Sequence, residues 1–347
     1  MHLITLYATL ATFGSLASAL PTKDARNASK TLRDVIVFPN DTWIENIAVR
    51  SNGNLLVTLM SLPEVWEVEP ISGSAELVYS FPNATVSLGI AEVGHDIFAV
   101  NVGNLSTPTT GLPGSWSVWT LDYNKANPSS NKPTGKKITA IPPAVFLNGL
   151  ATLPTMPGVI LTGDSFLGQI FAVDTFNSRY NVAIDVPEFK PNKSTALQFG
   201  VNGIKMHDGN LYFTNSLKSP LLASIPLSIN GSAAGPVKTI AKSAQYPVDQ
   251  GFQADDFALD AKAEHAWVAT NPSNLVVRIN TATGRQQVVA GGKSEQTVAG
   301  ATSAAFGRNW HDKDILYIVT DGGLADPSSA GVAGGKIVAL DTTKVQI

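Results

Sequence analysis

The chain has 347 residues, of which 44% are apolar, 15% charged and 8% aromatic. That composition excludes a disordered protein, a collagen and a small disulfide-stapled domain. A net charge of −3 and a pI of about 6.0 leave no basic footprint for nucleic acid, and the absence of cysteine excludes thiol nucleophiles, thiolate metal sites and disulfides.

In chain order, residues 1–19 read as a signal peptide. Leu3 to Leu16 is mostly apolar, and Ala17-Ser18-Ala19 offers a small-residue cleavage pattern. A short extension, 20–33, precedes a single domain spanning 34–347. Six sequons follow the leader, at Asn27, Asn40, Asn83, Asn104, Asn192 and Asn230. Together they predict a glycoprotein of the secretory pathway, either secreted or held in a secretory or vacuolar compartment. No later stretch reaches the length of a membrane-spanning helix.

One short pattern then recurs six times. Its copies are Val65–Glu69, Val118–Asp122, Ile170–Asp174, Leu222–Pro226, Val276–Asn280 and Ile337–Asp341, whose last residues are spaced by 53, 52, 52, 54 and 61. Apolar residues alternate within each copy, which is the period of a strand. A second strand precedes each copy, as in Leu211–Thr214 and Leu316–Thr320, and another follows most of them, as in Glu76–Phe81. A further inner segment carries pairs such as Ile47-Ala48 and Phe257-Ala258. The unit is therefore four strands, and six units predict an all-β, six-bladed β-propeller. The sixth unit stops after its third strand. The spare segment Asp34–Phe38 is expected to complete it and close the ring, which removes exposed edges.

Aligning the inner strands on Ile47, Ile90, Leu150, Ile204, Phe257 and Ala304 exposes a column two residues upstream. It reads Glu45, Leu88, Asn148, Asn202, Asp255 and Thr302. Alternating apolar strands have no packing reason to carry oxygen-bearing side chains at equivalent places. Such a ring suits a divalent cation such as Ca²⁺, or an acid with hydrogen-bond anchors for an organic ligand. Asn148-Gly149 and Asn202-Gly203 also read as turn dipeptides. Flanking candidates for a pocket wall are Trp43, Met60, Trp116, Asp164, Phe199, Asn215, Gln253, Asp256, Asn271 and Asp321. No G-x-S-x-G elbow, H-E-x-x-H or phosphate-binding glycine loop occurs, and the five histidines are scattered.

The column resembles the metal- and substrate-binding pattern of the regucalcin–gluconolactonase superfamily of six-bladed propellers. The resemblance implies Glu45, Asn202 and Asp255 as metal ligands and Asn148 as a substrate contact. The segments Val201–Met206, Leu211–Ser216, Asp255–Asp260 and Thr302–Arg308 look like a fungal secreted branch. Characterised members of that branch are hetero-Diels–Alderases of tropolone–sesquiterpenoid biosynthesis. They join a tropolone quinone methide to a humulene-type terpene.

Three functions follow as expectations. The first is a cofactor-independent cyclase with small-molecule partners, a tropolone and a terpene. In it Glu45 or Asp255 is the acid, Asn148 and Asn202 hold the tropolone oxygens, and Trp43, Met60, Phe199, Gln253 and Thr302 shape the site. The second is a lactonase or esterase using Ca²⁺ or another divalent ion on Glu45, Asn202 and Asp255. The third is a non-enzymatic binding propeller.

Overall fold

The computed structural model describes residues 31–107, 110–194, 198–242 and 253–346. The leader 1–19 and Asn27 lie outside these residues. Alternating apolar side chains fold each repeat into one four-stranded antiparallel sheet, and six such sheets form the molecule. Their innermost strands are Ile44–Val49, Val86–Gly94, Leu147–Thr152, Val201–His207, Ala254–Leu259 and Ala301–Phe306. Each packs against the innermost strands of the blades before and after it, so the ring closes around a central channel.

Closure happens as the sequence predicts. The strand Leu32–Val37 pairs antiparallel with Lys336–Asp341 and becomes the outer strand of the sixth blade. It begins two residues earlier than the expected Asp34, so Leu32 and Arg33 belong to the sheet rather than to the extension. The second blade carries an addition that the repeat pattern did not announce, a small hairpin of Leu105–Thr107 with Thr110–Gly111.

The apolar core is distributed between blades rather than gathered at one centre. Six buried clusters each join two neighbouring blades, and together they go round the whole ring. In the first-to-sixth cluster, for example, Val57 and Val68 meet Val319 and Ile337. Burial of this kind is the main favourable term available to a chain without disulfides. Among the described residues, no helix is long and apolar enough to cross a membrane.

Candidate functional site

Each innermost strand is irregular at the column that the sequence singled out. The register against the second strand shifts between Ile44 and Asn46, Ser87 and Ile90, Leu147 and Leu150, Val201 and Ile204, Ala254 and Phe257, and Ala301 and Ser303. Glu45, Leu88, Asn148, Asn202, Asp255 and Thr302 are therefore bulge residues in all six blades. A bulge leaves a residue unpaired in the ladder and re-aims its side chain. This is how strands with apolar alternation deliver polar groups to the channel.

The two Asn-Gly dipeptides are bulges inside strands, not hairpin turns. Their glycines are required by close approach. A Cβ on Gly149 would stand 2.2 Å from the Asn202 carbonyl oxygen, and one on Gly203 would stand 2.2 Å from Asp256 Oδ1. Without side chains, neighbouring innermost strands come close enough to set Asn148, Asn202 and Asp255 around one cavity.

That cavity, of about 260 Å³, sits at one mouth of the channel. Its polar half is Glu45, Asn148, Asn202, Gln253, Asp255 and Asn271, with Ser216. Its apolar half includes Trp43, Met60, Phe146, Phe199, Pro272 and Leu324. Phe146, Phe166 and Phe199 pack as a cluster with ring centroids 5.1–5.4 Å apart. Such contacts hold an aromatic wall rigid, each contributing about 0.5–1.5 kcal/mol beyond burial.

The carboxylates are held out of water. Glu45 is buried, and Trp43 Nε1 donates to its Oε2 at 2.7 Å. Burial pushes the Glu45 carboxyl up to about 7 against that hydrogen bond, with repulsion from Asp321 and Asp256 acting the same way as burial. Burial, then repulsion from Glu45 and Asp256, hold Asp255 well above the usual carboxylate range, although the Asn202 amide opposes them. Two such groups in one site titrate as a pair. Asn202 Nδ2 donates to Ser216 Oγ at 2.9 Å, while its buried Oδ1 has no hydrogen-bond partner among the described residues. The Asn148 side chain lines the cavity from its bulge, its own backbone carbonyl taken by Asn101 Nδ2 at 2.8 Å.

One layer deeper, Asp256 turns the other way along the channel. It accepts from Lys205 Nζ at 2.7 Å, Asn46 Nδ2 at 3.0 Å and Ser303 Oγ at 3.0 Å, which ties four blades together at the axis. It belongs to the scaffold beneath the cavity rather than to the wall.

Several other expected wall residues also belong to the scaffold. Thr302 is fully buried, its hydroxyl 2.7 Å from the Ile44 carbonyl and 3.2 Å from that of Val319, and it does not line the cavity. The expectation that it shapes the site is corrected accordingly: it fastens the sixth blade to the first. Trp116 is buried in the core between the second and third blades. Asp164, Asn215 and Asp321 cap the turns that follow second strands. Asp164, for example, accepts from the backbone N–H of Val145, Phe146, Phe166 and Leu167. Asp321 accepts from Gly323, Leu324, Ala325 and the Asn271 amide. Burial raises its carboxyl to about 6 despite these donors.

The sequence reading missed Phe146, Ser216, Pro272, Leu324 and Ala325, all of which line the cavity. Phe146 had a signal. It lies two residues before Asn148, as Trp43 lies before Glu45 and Gln253 before Asp255. Ser216 and Leu324 lie just beyond the capping residues Asn215 and Asp321, and a turn's capping residue is easier to read than the residue it presents.

No protein-family profile matches the chain. It is 29% identical over 310 residues to a Phoma sp protein provisionally named a hetero-Diels-Alderase, covering 81% of this chain and 84% of that one. A Sarocladium schorii protein with the same provisional name is 29% identical over 342 residues, covering 88% and 82%. Among solved structures, the calcium-binding protein regucalcin from Agrobacterium tumefaciens superposes with a TM-score of 0.57 at 15% identity, over 89% of this chain and 92% of that one. At that identity the structural likeness speaks for the fold alone. The chain is thus a six-bladed propeller of regucalcin-like architecture whose sequence is similar to proteins named as hetero-Diels-Alderases.

Proposed function

We propose that the chain is a cyclase that joins a tropolone quinone methide to a humulene-type terpene in the channel-mouth cavity. The observation that carries this reading is the pairing of two buried carboxyls, Glu45 and Asp255, with a rigid aromatic wall in one cavity. Likeness to the two named relatives supports it.

In this reading the protonated carboxyl of the pair gives its proton to the departing hydroxyl of the tropolone precursor, which leaves as water. The ionised partner takes the proton of the ring hydroxyl, and the neutral quinone methide remains. Asn148 and Asn202 orient the tropolone oxygens, Asn202 through an amide whose Nδ2 is already fixed on Ser216. Trp43, Phe146 and Phe199 hold the terpene alkene against the diene, so that much of the acceleration comes from placing two partners together. No cofactor takes part. The chain is expected to reach its place of work through the secretory pathway.

One observation favours a second reading. Asn202 Oδ1 is buried and, among the described residues, unpartnered, and it shares the cavity with Glu45 and Asp255. Two carboxylates and an amide oxygen are hard donors that fit Ca²⁺ or a similar divalent ion. When bound, such an ion would supply Lewis-acid polarisation of a lactone carbonyl. Glu45, Asn202 and Asp255 would hold it, and Asn148 would orient the substrate.

The deciding experiment incubates the purified protein with a quinone-methide precursor and humulene, and separately with simple lactones, each with and without EDTA. Cycloadduct formation that resists EDTA supports the cyclase. Lactone hydrolysis that EDTA abolishes, without cycloadduct, overturns it.

A further inference from the structure

We propose that a cleft on the outer strands of the fifth blade is a binding site for a tetrahedral oxyanion, a phosphate or sulfate group. The cleft has a volume of about 250 Å³ and shares no lining residue with the channel-mouth cavity. The inference is therefore independent of the proposed cycloaddition.

Strand pairing builds the site. Arg278 and Asn280 lie two apart on the third strand, so their side chains share a face. Arg278 is paired with Trp267 on one side and Gln287 on the other. His265 is paired with Asn280, whose N–H donates to the Arg285 carbonyl at 2.9 Å. Two rows of side chains, Trp267-Arg278-Gln287 and His265-Asn280-Arg285, thus stand together. Thr283 closes the end of the cleft at the turn.

Neither guanidinium forms an ion pair among the described residues. Arg278 is nonetheless held in place. It donates to Gln287 Oε1 at 3.2 Å, and its guanidinium carbon lies 5.7 Å from the Trp267 ring centre. That leaves most of its fork unused. His265 is fixed by Asp260, with Nδ1 3.0 Å from Oδ2, so the local carboxylate is taken up by the imidazole and not by an arginine. Asn280 Oδ1 accepts from Ala282, Thr283 N and Thr283 Oγ1, which turns its Nδ2 donor toward His265 and the cleft. Two forks of N–H donors and one amide donor facing one cleft, in a chain of net charge −3, match a group with several acceptor oxygens.

Isothermal titration calorimetry of the full chain with inorganic phosphate, inorganic sulfate, a sugar phosphate and acetate, at constant ionic strength, tests the assignment. Saturable one-site binding of phosphate or sulfate is expected, weakened at least about tenfold in Arg278→Gln and in Arg285→Gln. Tighter binding of the sugar phosphate than of phosphate would assign the group to an ester, and the reverse to the free ion. Melting curves of both variants that match the wild type separate lost binding from lost folding. Heats that do not saturate, acetate binding as tightly as phosphate, or wild-type affinity in both folded variants would overturn the proposal.

Discussion

Replacing Glu45 with Gln should stabilise the protein, and by an amount that depends on pH. The native carboxyl is raised from 4.5 to about 7, chiefly by burial, whereas the unfolded chain keeps the ordinary value. Between those two values the native state binds more protons than the unfolded state, so stability falls as pH rises and levels off above about 7. A shift of that size corresponds to about 3 kcal/mol. Gln is neutral, has nearly the same shape, and offers an oxygen to Trp43 Nε1 in place of the carboxylate that now accepts at 2.7 Å. In EDTA-dialysed protein, Glu45→Gln should therefore melt with the wild type at about pH 4.5, where Glu45 is protonated. By about pH 8 it should melt higher, by about 4 °C for a chain of this length. Differential scanning fluorimetry across that range makes the comparison. A melting difference that does not change with pH, or a wild type more stable at about pH 8, would refute the claim that Glu45 is held protonated by burial.

Other predictions follow from the same geometry. Gly149→Ala drives a Cβ onto the Asn202 carbonyl and should cost about 1–3 kcal/mol in urea unfolding, since a backbone atom cannot step aside. Lys205→Met leaves Asp256 buried without its counter-charge and should cost about 3–5 kcal/mol, with Asp256→Asn added to it recovering part of the loss. Glycopeptide mass spectrometry should find carbohydrate at the exposed Asn40, Asn83 and Asn230. Phe199→Ala removes one ring of the aromatic wall and should raise KM for the apolar partner more than it lowers melting, because Phe199 is only partly buried.

Blade number, strand order and ring closure were legible because they are carried by period. Alternation at Val118–Asp122 or Ile337–Asp341 marks a strand, recurrence near 53 residues marks a blade, and a spare first strand with a last unit one strand short marks closure. The column of Glu45, Asn148, Asn202 and Asp255 was legible for a related reason, since polar residues in an apolar period stand out. What the period could not convey was local deviation from it. The bulges that aim those side chains are backbone events, and Asn-Gly is compatible with both a bulge and a turn. Thr302 shares the column but meets backbone carbonyls of blades one and six, an outcome set by a neighbour 258 positions away in the chain. Asp164 and Asp321 carry the chemistry of ligands and are used as caps, because unpaired N–H groups in the following turns reach them first.

Glu45 and Asp255 are the proposed acid–base pair of the cycloaddition. The most direct measurement is the rate of cycloadduct formation from a quinone-methide precursor and humulene, in EDTA, for the wild type and the double variant Glu45→Gln, Asp255→Asn. The wild type should exceed the uncatalysed rate, and the double variant, folded by its melting curve, should lose about 100-fold or more of it. A double variant that turns over like the wild type, or a wild type no faster than the uncatalysed reaction, would contradict it.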